Sequence, residues 1–363
     1  MNYGSKHGES FALKLMEGYL ATSCAEEVTN KDYEGELTAV GNTVNINSIE
    51  TEDWKKFTGA DFVYTTPTEY PSQMVADQSY AIFFKIGTLD RLQSWIKNPE
   101  GTLIQRNYRK LKDLIDRDIF SHYTDVAAGN WIGVDYKTGT VAVAAGTGVV
   151  TGSGTTFTSD MVGKPFKAVG HSKWYRIKAY TSPTSITIEN DADDVASAYD
   201  GGAISANANF TIQAHTPITL TKDNIFSTLV QMQTILDINN VPAEDRNAVL
   251  PPEVANLLIT STELDRGSLP PEEFVRLKKK GLKREYTGFN IYSNNNMTKD
   301  HGGATFALGI QKDWMTFGMA LTESDVVDLQ NNFGKGYKGL AVWGRKVADL
   351  RRKAGVVLYC KVG

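Results

Sequence analysis

Between residues 88 and 124 the apolar positions fall at helical spacing. Ile104, Tyr108, Leu111, Ile115 and Ile119 recur at steps of four, three, four and four, which places them on one face of an α-helix. Arg106, Arg109, Lys110, Asp113, Asp116 and Arg117 make up the opposite, charged face. Pro99 removes a helical donor and biases Asn98 toward extended backbone, and Gly101 follows, so a kink or restart is predicted there. The segments on either side read as strands, so the apolar stripe is expected to lie across a sheet.

The rest of the chain alternates between strand-like and polar stretches. Residues 1–35 mix short amphipathic pieces with charge; Phe11, Leu13, Leu15 and Met16 could start a helix, but nothing there would fold alone. ELTAVGNTVNINSI (residues 36–49) has strand alternation. A polar, acidic and aromatic stretch follows, and then the strand-like SYAIFFKIG. This order predicts a long projecting hairpin or loop, and a loop of that length points to binding. Residues 131–213 are rich in Gly, Thr, Ser, Ala and Val. Short strands TVAVAAG, GKPFKAV, KWYRIKAY, TSITIEN and NANFTIQ, separated by turns, predict a small β sandwich or barrel. From residue 216 the pattern is mixed. Thr221 is positioned to cap a helix with the apolar face Ile225, Leu229, Met232 and Leu236. NAVL, GFNIYSNNNM, GATFALGIQ and AGVVLYCKV read as strands. PEVANLLI and PPEEFVRLKKKG read as short helices.

With 363 residues, 41% hydrophobic and 22% charged, the chain can bury two or three compact units of ordinary globular composition. A net charge of −4 argues against general nucleic-acid binding. Two cysteines, Cys24 and Cys360, define no disulfide framework and suit a reducing compartment. The first residues lack the apolar core of a secretion signal, and no run long enough to span a membrane occurs, so synthesis in a cytoplasm and no membrane partner are expected.

Candidate chemistry is sparse. The five histidines, at 7, 122, 171, 215 and 301, have no metal-ligand spacing, and neither cysteine has a near partner. No metal, no cofactor and no catalytic residue is therefore expected. GTGVVTGSG lacks the Lys-Ser/Thr ending of a phosphate loop and lies between strands. Asp191, Asp193 and Asp194 read as an acidic turn rather than a calcium loop. Two basic runs stand out, Lys278, Lys279, Lys280, Lys283 and Arg284, and Arg345, Lys346, Arg351, Arg352 and Lys353. Each reads first as a solvated face; contact with an acidic partner or with phosphate backbone is the alternative.

In combination these segments resemble the major capsid proteins of tailed bacteriophages, of the Hong Kong 97-type fold. GNTVNINSI, the polar excursion and SYAIFFKIGTLDRLQSW resemble the extended-loop strands running into a spine helix. IQRNYRKLKDLIDRDIFSHY resembles that helix. NAVLPPEVANLLI resembles the strand-then-helix of the axial domain, GFNIYSNNNM is similar to a strand motif of the family, and YKGLAVWGRKVADLRRKAGVVLYCKV resembles its closing segment. The resemblance covers residues 36–126 and 216–363. Pro99 and Gly101 interrupt the spine helix, and a β insertion departs from the simplest members.

The resemblance implies an α+β capsid fold. Its parts would be an N-terminal arm at 1–35, an extended loop with peripheral strands at 36–87, a spine helix at 88–126, an inserted small all-β domain at 127–215, an axial domain at 216–345, and a C-terminal return to the peripheral domain at 346–363. It implies self-assembly as hexamers and pentamers into an icosahedral head in the virion, with scaffolding, portal and decoration proteins as partners. Packaged double-stranded DNA would be held without sequence readout. Weak contacts suffice in such a shell, because closure multiplies them. Trp54, Lys55, Lys56, Phe57, Tyr64 and Tyr70 are the candidate inter-subunit contacts of the extended loop, and Lys278, Lys279, Lys280, Lys283 and Arg284 the basic contact candidates. No residue match carries over the Lys–Asn cross-link that some such shells form. A rival reading is a carbohydrate-binding or carbohydrate-active β protein, motivated by Trp174, Tyr175 and Tyr180. Strand alternation would put Trp174 and Tyr175 on opposite faces, against a flat sugar platform.

Overall fold

The computed structural model describes residues 24–33, 43–49, 69–87, 99–191, 198–261, 285–286, 288–300, 302–329 and 333–363. They fall into two compact units. One comprises residues 1–112 and 315–350, the other residues 113–314 and 351–363.

The first unit is built on long antiparallel strands. Thr316–Asp328 pairs with Gly334–Lys346, which pairs in turn with Gln78–Gly87. A separate hairpin joins Thr43–Ile49 to Glu69–Val75. Alternation places Val44 and Ile46 on one face, and they bury with Met74, Ala76 and Val342 in one apolar cluster. The hairpin differs from the sequence reading in its second strand. SYAIFFKIG is not the partner of the first strand; it joins the long sheet, and EYPSQMV takes its place. Pro71 hides that strand, because proline cannot donate to a ladder; in a two-stranded sheet every strand is an edge, where proline is tolerated. Of the N-terminal segment, residues 24–33 are described. Asn30 bridges to Thr316, donating to the Met315 carbonyl at 2.9 Å and accepting from Phe317 N–H at 2.9 Å.

The long helix spans Pro99–Ser121. Proline opens it, where its missing N–H costs nothing; residues 88–98, expected to be helical before the break, lie outside the described residues. Ile115, Ile119 and Phe120 are fully buried, as the apolar spacing requires. Asp116 corrects the expected charged face. It is buried and accepts a hydrogen bond from Asn294 Nδ2 at 2.8 Å, so its charge is met by a neighbour rather than by water.

The second unit holds two sheets. In one, the strands run in the order Ile218–Leu220, Gly355–Val362, Thr305–Gln311, Arg246–Leu250, Phe289–Ser293, Glu285–Tyr286, with Trp131–Ile132 also on Gly355–Val362. The helix Ile225–Ile238 buries Ile225, Leu229, Met232 and Leu236, the face read from the sequence, and Pro252–Ile259 is the second helix expected. A Cβ at Gly309 would stand 2.5 Å from Met232 Cε, so glycine there lets the helix approach the sheet. Thr221 does not cap with its hydroxyl; its N–H is held by Asn224 Oδ1 at 2.8 Å.

The other sheet uses only residues 134–216. Its eight strands run Ile204–Ala208, Thr140–Val143, Val149–Ser153, Ser185–Asn190, Tyr175–Ser182, Pro165–Ala168, Phe210–Thr216, Val134–Tyr136. Six of them send buried side chains into a single cluster that includes Val141, Val150, Phe166, Ile177, Ile186 and Ile212, so the sheet curls around its own core.

One edge of the C-terminal strand shows how this β module is connected. Trp131 and Ile132 pair in parallel with Val357 and Leu358, and Ile218, Thr219 and Leu220 pair in parallel with Cys360, Lys361 and Val362. Geometrically these are two pieces of one strand, and residues 134–216 leave and re-enter between them. Gly133 sits at the exit, where a Cβ would lie 2.5 Å from Ala214 Cα.

Two boundaries change against the sequence reading. Thr316–Asp328 and Gly334–Lys346, given up to residue 345 to the axial domain, join Gln78–Gly87 in one sheet of the first unit. Gly355–Val362, given to a peripheral return, is an inner strand of the second unit's sheet. These strands are amphipathic or apolar throughout, so composition could not assign them to a sheet.

Gly133→Ala is expected to destabilise the chain by about 1–3 kcal/mol, because the extra methyl meets backbone that cannot move aside. Urea denaturation checks this; an unchanged midpoint would show that the exit strand relaxes freely.

Candidate assembly surfaces

The extended hairpin is anchored at its base by the cluster of Val44, Ile46, Met74, Ala76 and Val342, with Leu340 and Tyr33 packed against it. Asp77 follows the hairpin and pairs with Arg345. Of the predicted loop contacts, Trp54, Lys55, Lys56, Phe57 and Tyr64 lie outside the described residues. Tyr70 is in the second hairpin strand, opposite Ser48. The basic candidates Lys278, Lys279, Lys280, Lys283 and Arg284 lie outside the described residues as well.

The sequence reading missed the aromatic surface of the long sheet. Phe83 is 80% exposed and Phe333 88% exposed, with Val327 exposed on the Phe83 face. The signal was present in the consecutive Phe83-Phe84, because neighbouring strand residues point to opposite faces. Phe84 stacks on Tyr337 with centroids 4.9 Å apart, and Tyr80 stacks on Trp343 at 5.0 Å. The same pleat therefore turns Phe83 to the other face, where it is left in solvent.

The second basic run is not a uniform solvated face. Arg345 pairs with Asp77, and Arg352 is 5% exposed. Arg352 Nε donates to the Asp125 carbonyl at 2.9 Å, Nη1 to the Asp191 carbonyl at 3.0 Å, and Nη2 to Asp191 Oδ1 at 2.7 Å. The same Oδ1 accepts from Arg176 Nε at 3.0 Å and Nη2 at 2.8 Å, and Oδ2 accepts from Ala128 N–H at 2.7 Å. Asp191 thus joins the β module, through Arg176, to the loop after the long helix and to the C-terminal segment. Burial pushes its pKa up, but the two guanidiniums and the Ala128 N–H outweigh that and hold it below the usual carboxylate value. The sequence reading of an exposed acidic turn fails for Asp191 for this reason; Asp193 and Asp194 lie outside the described residues.

One further contact crosses the same seam, that of Lys164 with Tyr359. Lys164, in the module, donates to the His215 carbonyl at 2.7 Å and lies over the Tyr359 ring, 5.0 Å from its centroid. Burial lowers its pKa to about 8, against the pull of Asp160 and Asp300. Tyr359 stacks on Phe306, which stacks on Tyr123, at 4.4 and 4.3 Å, and the Tyr359 hydroxyl donates to Asp300.

Tyr175 is 2% exposed and packs inside the module's core, so Trp174, Tyr175 and Tyr180 do not form a shared sugar platform. Among the described residues no group of His, Cys, Asp and Glu could hold a metal ion, and no helix is long and apolar enough to cross a membrane.

No family model and no curated protein matches the sequence. Solved structures do match. A chain of Mycobacterium phage Che8 is 14% identical, with a TM-score of 0.56 over 93% of this chain and 91% of that one. The capsid of the cyanophage P-SCSP1u is 12% identical, with a TM-score of 0.55 over 94% and 89%. The mature capsid of bacteriophage PhiM1 is 10% identical, with a TM-score of 0.50 over 94% and 87%. At these identities the likeness is one of fold, and it runs through nearly the whole chain.

Removing the shared carboxylate takes the counter-ion from the buried Arg352 and the mostly buried Arg176. Asp191→Ala is therefore expected to cost about 3–5 kcal/mol of stability. Because its pKa is lower in the folded state, Asp191 contributes fully above the ordinary carboxylate value, and the contribution is lost as the pH falls toward the lowered one. Denaturation of the native chain and the variant is expected to show a constant gap down to about pH 5 that closes below about pH 4. A gap that widens on acidification would refute the assignment.

Proposed function

We propose that this chain is the major capsid protein of a tailed bacteriophage and that it acts by assembly, without catalysis. The observation that carries the reading is the fold shared with phage capsid structures over about nine-tenths of both partners' length. In this reading the chain has the Hong Kong 97-type parts. Residues 1–35 are the arm, 36–75 the extended loop, and 88–126 hold the spine helix. The peripheral sheet is completed by 316–346, and the axial domain by 218–314 and 355–363. Residues 134–216 are the inserted domain. Its support is the interrupted strand beside Gly355–Val362, whose two pieces would be continuous without it.

Hexamers and pentamers of the chain close into the head of the virion, made in the host cytoplasm and filled with the aid of scaffolding and portal proteins. The genome is double-stranded DNA held without base readout, in keeping with a net charge of −4. In this reading the extended loop, with Trp54, Lys55, Lys56, Phe57, Tyr64 and Tyr70, contacts a neighbouring subunit, since aromatics are enriched at interfaces. The carbohydrate-active reading is the weaker one, because it accounts for the module alone.

Negative-stain electron microscopy with light scattering on the purified chain tests this. Rings, tubes or shells of one subunit spacing are expected. A chain that stays monomeric at high concentration and with a co-expressed scaffolding partner would overturn it. The double variant Trp54→Ala, Phe57→Ala is expected to lower the shell yield at least about tenfold, the effect of losing a hot-spot contact, with an unchanged circular-dichroism spectrum.

A further inference from the structure

The β module carries a concave site that neither its core nor its seam explains. A pocket of about 520 Å³ is lined by Lys137, Lys167, His171, Trp174, Asn209 and Thr211, among others. None of its lining residues is acidic, although the chain as a whole is net negative. Lys167 lies over the Trp174 ring, 5.7 Å from its centroid. Lys137 reaches the pocket from the turn after Val134–Tyr136 and is mostly exposed; its pairing with Asp135 at 3.2 Å is solvated and weak.

His171 adds a wall rather than a charge. Its Nδ1 accepts from Ala168 N–H at 3.3 Å, so Nε2 carries the proton and donates to the Tyr199 hydroxyl at 2.8 Å, which donates to the Gly202 carbonyl at 2.7 Å. Burial, followed by the nearby Lys167, holds the ring's pKa down and keeps it neutral. The pocket therefore offers two ammonium groups, one indole plane, an amide and a hydroxyl around a volume suited to a small ligand.

We propose that this pocket binds an acidic saccharide. The indole plane suits the apolar face of a sugar ring once the flexible Lys167 swings from over it onto the ligand's anion; the amide and hydroxyl suit the sugar's hydroxyl groups, and the two lysines a carboxylate or sulfate on it. Nucleic acid fits less well. A strand carries a charge at every nucleotide and needs an extended basic groove, whereas here the cations converge on one concavity. The platform is Trp174 alone, not the three aromatics first considered.

The test is calorimetric titration of the full chain with glucuronic acid oligosaccharides, neutral glucose oligosaccharides of the same length, inorganic sulfate and a single-stranded oligonucleotide. The acidic oligosaccharide is expected to bind at least about tenfold more tightly than the neutral one, a difference of about 1.4 kcal/mol. Trp174→Ala is expected to weaken both sugars. Lys137→Ala, an exposed change, is expected to weaken the acidic sugar more than the neutral one and so lower the acidic preference. No binding of the acidic oligosaccharide up to about 10 mM, a limit of about −3 kcal/mol, would overturn the proposal. So would equal affinity for sulfate and for the sugar, or tighter binding of the oligonucleotide. None of these outcomes bears on shell assembly, so failure here leaves the capsid reading standing.

Discussion

A single mostly buried carboxylate ties together three parts of the second unit. Asp191 accepts from two arginines that come from distant parts of the chain, Arg176 and Arg352, and from the Ala128 N–H. Taking any one of these groups out of water is costly, and only the complete set repays it. The arrangement is therefore conditional. The loop after the long helix, the β module and the C-terminal segment are each in place only when the other two are. The Lys164 contact with Tyr359 extends the same dependence along the seam. An apolar seam would hold the pieces as firmly; the charged one also fixes their register, because a slipped pairing leaves a guanidinium unmet.

That fixed register is what the connection geometry demands. The strand pieces Trp131–Ile132 and Ile218–Leu220 lie in line on one edge of Gly355–Val362, and each alone is too short to hold its place. Asn130 reinforces the first piece, donating to the Lys353 and Gly355 carbonyls at 3.0 and 2.8 Å while accepting from Asn239 at 2.9 Å. Gly133 then allows the chain to pass against Ala214 without a side chain between them. A module joined by two adjacent crossings costs little closure entropy in the host sheet, since its ends are already neighbours.

Much of this was legible in the residues. Helical spacing located the buried face of Ile225–Ile238 and the lower half of Pro99–Ser121. Alternation located five of the module's eight strands, missing Val149–Ser153 within the glycine-rich stretch that reads as turns, and apolar runs located Arg246–Leu250, Thr305–Gln311 and Gly355–Val362. Period and length settle such elements because they are local. The failures were non-local. Glu69–Val75 contains Pro71 and becomes a strand only because Thr43–Ile49 offers it a partner. Thr316–Asp328 and Gly334–Lys346 could have joined either sheet. Asp116, Asp191 and Arg352 looked solvated, since a charged side chain reads as exposed until its buried partner is known. The pocket beside Trp174 is assembled from five separate loops and strands, and no spacing encodes it.

The same distinction between local and distant pairing orders the folding of the chain. The module completes all eight of its strands within residues 134–216, so it can form once that stretch is available. The long sheet needs Gly334–Lys346 before Gln78–Gly87 has a partner, and the other sheet of the second unit lacks a central strand until Gly355–Val362 is made. Distant pairings of this kind are entropically late. Until they form, Gln78–Gly87 with Phe83 and Phe84 is an unpaired apolar strand, open to the wrong neighbour. Phe83 is exposed even on the finished sheet, so the side chain that endangers the nascent chain remains an apolar surface of the kind that partners cover.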